Sequence, residues 1–300
     1  MRFRAPRRLP ASAALVAALL IAVPGLANAA DEADANNQPV EEQGASKEAG
    51  ASEETRPCFT GKGSVKEVLD SCDEIIAKGS SDTQELIRAH SVRAMAYSAL
   101  GRIDDAIVEM DKVVALNPER ANSYFMRAAG YDAKKEYDKA LADLDKAISM
   151  NDKDADYYLL RGIVYGHKGE LDKGIADVDR KIELDPKATL GYSTRADLYR
   201  QKKDYDKAIA DYSEVIKLDA QTAKGYVDRG WIFVLKNDLD KAAADFDTAL
   251  ILQNNHASAL VGRGVVKSRK GRPTDGAADL ALAKRIEPTI FDEVRRLGVE

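Results

Sequence analysis

From Ile87 onward this chain repeats itself every 34 residues without an insertion, and that period limits its fold more than any other feature. Arginine marks the register at Arg93, Arg127, Arg161, Arg195, Arg229 and Arg263. A small residue follows each of them (Ala94, Ala128, Gly162, Ala196, Gly230, Gly264), and three positions later come Tyr97, Tyr131, Tyr165, Tyr199, Phe233 and Lys267. Nine residues after those stand Ala106, Ala140, Gly174, Ala208, Ala242 and Gly276. Inside 121–154, Tyr124, Ala128 and Tyr131 fall at helical spacing, and so do Ala140, Leu144, Ala147 and Ile148. Lys135-Glu136-Tyr137-Asp138 separates the two runs, with Asp138 placed to cap the second helix. Each unit is therefore a helical hairpin whose small residues let its arms approach closely. One hairpin cannot bury its apolar face alone, so neighbours must stack.

The period, the small residue after Arg, the aromatic three further on, the Ala opening the second helix and the closing Pro (Pro118, Pro186, Pro288) resemble the tetratricopeptide repeat family, in its exported bacterial type. The resemblance covers units 87–120, 121–154, 155–188, 189–222, 223–256 and 257–290. It implies an all-α, right-handed superhelical solenoid of antiparallel helix pairs, with capping helices at its ends. The sixth unit departs most, since Lys267 replaces the aromatic and Pro273 enters the turn between helices. That reads as an edge unit, covered by a helix that starts at Ile290, closes the sixth unit and runs to Leu297 in a C-terminal cap over 291–300. Ahead of the first unit, residues 57–86 form a degenerate cap. Its amphipathic run from Ser64 to Lys78 carries Val65, Val68, Leu69, Cys72, Ile75 and Ile76. Gly61-Lys62-Gly63-Ser64 lacks the glycine spacing and the preceding strand of a phosphate loop, so no nucleotide site is read there.

The first residues are a different material. Arg2, Arg4, Arg7 and Arg8 precede an apolar run from Ala11 to Val23, and Ala27-Asn28-Ala29 offers small residues for cleavage. That order predicts a signal peptide over 1–29, cut after Ala29, and a periplasmic or secreted protein. The run is shorter than the about 20 residues a membrane-spanning helix needs. Residues 30–56, acidic and almost free of large apolar side chains, predict a disordered leader. The formal charge of −5 grows more negative once the four arginines are removed. Such a balance gives no electrostatic footprint for nucleic acid. Cys58 and Cys72 are the sole cysteines; an oxidising compartment favours a disulfide between them, against two separate buried thiols.

Sixteen residues after each repeat Arg comes an acid: Glu109, Asp143, Asp177, Asp211, Asp245 and Asp279. In an antiparallel hairpin these positions face each other. Arg127 with Asp143, Arg161 with Asp177, Arg195 with Asp211 and Arg229 with Asp245 are therefore expected as structural ion pairs rather than as an anion-binding stripe. His90, His167 and His256 occupy different repeat positions without accompanying ligands, so neither a metal site nor a cofactor is expected. No nucleophile–base arrangement breaks the period, and the chain is not read as an enzyme.

What the resemblance implies is a groove lined by the first helix of each unit, receiving a peptide segment of a partner protein. Its lining here would be Phe125, Leu159, Ile163, Asp197, Arg200, Lys224, Val227, Trp231, Val234 and Leu235. Trp231, the single tryptophan, is either a binding anchor or a side chain packed between units. The expected function is a non-enzymatic adaptor of the cell envelope. The alternative is a structural envelope protein acting through self-association or wall attachment.

Overall fold

A computed structural model describes residues 56–298 as fifteen α-helices, with no strand among the described residues. The export signal read at 1–29 and the leader read at 30–56 lie outside them, Arg56 excepted. In chain order the helices are α1 (Pro57–Thr60), α2 (Val65–Lys78), α3 (Thr83–Ala99), α4 (Ile103–Leu116), α5 (Ala121–Ala133), α6 (Tyr137–Met150), α7 (Ala155–Lys168) and α8 (Leu171–Leu184). They continue as α9 (Thr189–Gln201), α10 (Tyr205–Leu218), α11 (Ala223–Leu235), α12 (Leu239–Leu252), α13 (Ala257–Arg269), α14 (Pro273–Ile286) and α15 (Ile290–Arg296). The chain groups into two compact units, one ending at Leu160 and one starting at Arg161, the division falling within α7.

Every hairpin turn is made the same way. The fifteenth residue of each repeat adopts a left-handed conformation: Gly101, Lys135, Gly169, Lys203, Asn237 and Gly271, with φ between 60° and 85°. The next backbone N–H then reaches five residues back, as from Glu136 to Tyr131 O at 2.9 Å and from Asp204 to Tyr199 O at 2.9 Å. That six-to-one bond closes the first helix and aims the chain into the second. Asp138 does not cap α6; Glu136 precedes the helix and Asp138 stands within its first turn. Pro273 likewise is not a turn residue. It is the first residue of α14, where its missing N–H costs nothing.

In the first unit, α2 is entered through a capping box in which Ser64 and Glu67 bond each other's backbone N–H. A disulfide joins Cys58 of α1 to Cys72 of α2, and both sit in a small core with Val68, Ile75, Ala89 and Val92. Arg88 of α3 lies over the ring of Phe59, which packs against that core, at 4.4 Å from its centroid. A disulfide of this kind suits an oxidising compartment.

The second unit shows why the repeat keeps small residues after its Arg. A Cβ added to Gly174 would meet Gly162 O at 2.7 Å, so α7 and α8 touch backbone to backbone. Its largest core gathers Val227, Trp231, Phe233, Phe246, Leu260 and Val266, with Ile290 and Val294 of α15 laid against it. The last repeat abandons three features of the others. Thr274 stands in the column of Asp104, Asp138, Asp172, Asp206 and Asp240; Ala281 in that of Asp111, Asp145, Asp179 and Asp247; Lys284 in that of Val114, Ile148, Ile182, Ile216 and Leu250. In the second unit Asp172, Asp206 and Asp240 accept from Lys202, Lys236 and Lys270 of the following pair. Ile182 and Ile216 fill the space over Gly191 and Gly225 of the next pair.

Candidate interaction face

Each repeat Arg is spent on structure. In the first unit Arg127 donates to both Asp143 oxygens at 2.8 and 2.7 Å, and Arg93 holds Glu109 at 2.9 Å. In the second unit the same two-pronged pair joins Arg161 to Asp177, Arg195 to Asp211, Arg229 to Asp245 and Arg263 to Asp279, all within 2.7–2.9 Å. The remaining guanidinium nitrogen reaches back to the preceding pair. Arg127 bonds Asp111 at 2.7 Å, Arg195 bonds Asp179 at 2.6 Å, and Arg229 bonds Ser213 at 3.0 Å. One side chain thus fixes both a hairpin and its stacking. The buried acids explain the bond pattern, since an uncompensated charge at such depth is costly.

Glu109 belongs to a wider network. His90 meets its Oε2 at 2.7 Å and Lys112 its Oε1 at 2.9 Å. Burial works against its charge, but the hydrogen bonds from His90, Lys112 and Arg93 outweigh this and bring its pKa down to about 2. His256 instead accepts from Ala259 N at the start of α13, and burial lowers its pKa. Among the described residues no group of His, Cys, Asp or Glu is placed to hold a metal ion. Nor, among them, is any helix long and apolar enough to cross a membrane.

Half of the expected groove lining is core. Phe125, Leu159, Val227, Trp231 and Val234 retain at most 7% of their exposure. Trp231 lies edge-on to Phe246, with centroids 5.2 Å apart, and donates through Nε1 to Ser258 Oγ at 2.9 Å. Phe125 packs on Tyr157 with centroids 5.2 Å apart. These five are corrected from binding residues to packing residues: the neighbouring hairpins sink deep enough to cover them. Ile163, Asp197, Arg200, Lys224 and Leu235 keep contact with solvent.

Around Asp197 the structure adds two residues absent from the sequence-level reading. Tyr212 of α10 is buried, yet its hydroxyl crosses the hairpin to donate to Asp197 Oδ1 at 3.1 Å. Arg200 Nε reaches the same oxygen at 3.3 Å. On α11, Lys224 pairs with Asp228 one turn later. Burial raises the Asp228 pKa, with the negative charge of Asp197 adding to it against Lys224. Desolvation opposes the Lys224 charge, but Asp228 and Asp197 carry its pKa above the usual lysine value. Burial and the same two carboxylates push the Tyr212 phenol well up. A column comparison would have flagged both additions. Tyr212 stands where other units have Met110, Leu144, Val178, Phe246 and Leu280, and Asp228 where they have Val92, Met126, Leu160, Thr194 and Gly262.

Helical hairpins of fixed length, tied by a recurring ion pair and stacked through small residues, define a helical-repeat protein. The chain belongs to the tetratricopeptide repeat family. Residues 92–148 and 130–189 match the family model described as Tetratricopeptide repeat, and residues 196–236 match the one described as TPR repeat. Comparison with curated proteins gave no match. Among solved structures, a tetratricopeptide repeat protein from Parabacteroides merdae is 18% identical; the match covers 81% of this chain and 96% of that one, with a TM-score of 0.64. PilF of Pseudomonas aeruginosa is 14% identical over 69% of this chain and 94% of its own, with a TM-score of 0.58. The APC/C hetero-tetramer Cut9–Hcn1 matches at 15% identity and a TM-score of 0.58, over 78% of this chain but only 48% of that one. At these identities the likeness is one of fold. Members of this repeat family are generally protein–protein interaction scaffolds rather than enzymes.

Proposed function

We propose that this protein is an exported adaptor of the cell envelope that holds a segment of a partner protein on the first-helix face of its repeats. One observation carries the reading: the accessible residues of that face change in character from unit to unit, among acid, cation and apolar side chain, while the ion pairs repeat. Ile163, Asp197, Arg200, Lys224 and Leu235 are each unlike their counterparts in neighbouring repeats, and all five reach solvent. The arginines of the structural ion pairs, by contrast, keep their column in all six repeats. Export rests on the sequence of residues 1–29, and the Cys58–Cys72 bond accords with it. Self-association by end-to-end stacking is disfavoured by Thr274, Ala281 and Lys284, which remove what one repeat offers the next.

The reading is tested by affinity capture from an envelope extract, comparing the parent with a variant carrying Asp197→Ala, Lys224→Ala and Leu235→Ala. Circular dichroism first establishes equal helicity. A protein retained by the parent and lost by the variant supports the adaptor. Identical captures from both, or none from either, remove it.

A further inference from the structure

The second helices of the second unit turn one row of side chains to solvent, and that row changes character toward its end. Positions 26 and 29 of the repeat form an ion pair on α8 (Arg180 with Glu183, 2.9 Å) and on α10 (Lys217 with Glu214, 3.0 Å). There α12 has Thr248 and Ile251, and α14 has Leu282 and Arg285. Ile251 is 83% exposed, Leu282 36% and Ile286 41%. On α14 the apolar middle is bounded by charge. Asp275 and Arg285 are exposed, and neither side chain has a hydrogen-bond or ion-pair partner among the described residues. An apolar strip rimmed by unspent charge is the pattern of a contact surface. Asp275, Ala278, Leu282 and Arg285 follow one another at intervals of three, four and three residues, the spacing of a helix-pairing seam. The strip is also its own complement. Turned end for end, it sets Asp275 against Arg285 at both margins and Ala278 against Leu282 between them, small against large.

We infer that α14 pairs antiparallel with α14 of a second copy of this chain, about a two-fold axis across the middle of the helix. Such an axis makes every contact occur twice. Charge complementarity selects both the occupant and its direction, since a parallel pair would set Asp275 on Asp275 and Arg285 on Arg285. The pairing is side by side and does not extend the array. It uses none of the first-helix residues of the adaptor reading, so the two stand or fall separately. Ten residues from Asp275 to Arg285 make a seam about 15 Å long. An interface of that size is transient, with a dissociation constant of roughly 10–100 µM.

The test is sedimentation equilibrium of the full chain, with circular dichroism holding every variant to the parent's helicity. The parent is expected in monomer–dimer equilibrium. Asp275→Arg and Arg285→Asp each set like charges opposite one another twice, and each is expected to weaken the dimer at least tenfold. Both changes in one chain exchange the two signs and restore it. Mixing the two single variants is expected to give a heterodimer, because each supplies the sign the other lacks. Leu282→Lys removes the dimer by charging the middle of the seam. A parent that stays monomeric tenfold above the stated range overturns the inference. So does a dimer that survives either charge reversal, or single variants that neither associate on mixing nor recover when combined.

Discussion

Consider the pair Arg195–Asp211, the joint between α9 and α10. Asp211 is buried and takes both prongs of the guanidinium, while the third nitrogen holds Asp179. Replacing Asp211 with Ala leaves the arginine with one solvated partner and a desolvated charge. Breaking a buried pair costs about 3–5 kcal/mol. Because 21% of the Arg195 side chain is exposed and Asp179 remains, the lower end applies, about 3 kcal/mol. Arg195→Met strands Asp211 and costs about the same. The double variant Arg195→Met, Asp211→Leu strands nothing, so it costs no more than either single change, a non-additivity of about 3 kcal/mol. A repeat array need not unfold in one step, so the assay is native-state hydrogen exchange of the α9 and α10 amides. Each single variant should speed their exchange about a hundredfold. If the double variant loses protection as the sum of the singles, the pair contributes through something other than mutual compensation of buried charge, and the argument fails.

Four other outcomes follow from the structure. Glu109 has its pKa depressed to about 2, so its contribution is complete above the ordinary carboxylate pKa near 4.5 and is lost as pH falls from there toward 2; urea titrations across that window should show a slope that Glu109→Gln flattens. Gly262→Ala places a Cβ 2.2 Å from the Phe246 ring, and the overpacking should cost about 1–3 kcal/mol, read as a lowered melting temperature. Lys203→Gly relieves a left-handed residue with a Cβ (φ 61°) and should raise stability by about 1 kcal/mol, whereas Lys202→Gly should not. Cys58→Ser with Cys72→Ser should remove about 3 kcal/mol from the cap, exposing α1 and α2 to hydrogen exchange while α5 and α6 stay protected.

The columns of the repeat made the helices legible, because a period of 34 fixes which side chains face inward and where the chain turns. They also placed Arg opposite its acid. What they hid was depth. Trp231 and Val227 lie on the first-helix side, as their columns indicate, but Gly262 lets Phe246 approach so closely that the neighbouring hairpin closes over them. A column index carries direction and no thickness. The same gap concealed Tyr212, whose ring belongs to the core while its hydroxyl serves the opposite surface. Pro273 was misplaced for a different reason: proline ends helices in their interior but opens them at the first position, and only the register of the preceding Gly271 distinguishes the two.

The altered columns of the last repeat bear on how such a protein can change length. Copying an interior hairpin and inserting it beside its parent reproduces every joint, because each end offers what the other needs. A hairpin appended after α14 would meet Thr274, Ala281 and Lys284 in place of two acids and an aliphatic side chain, and would have to displace α15 as well. Growth is thus open in the middle and closed at this end, so the boundary can survive many duplications while the number of hairpins drifts.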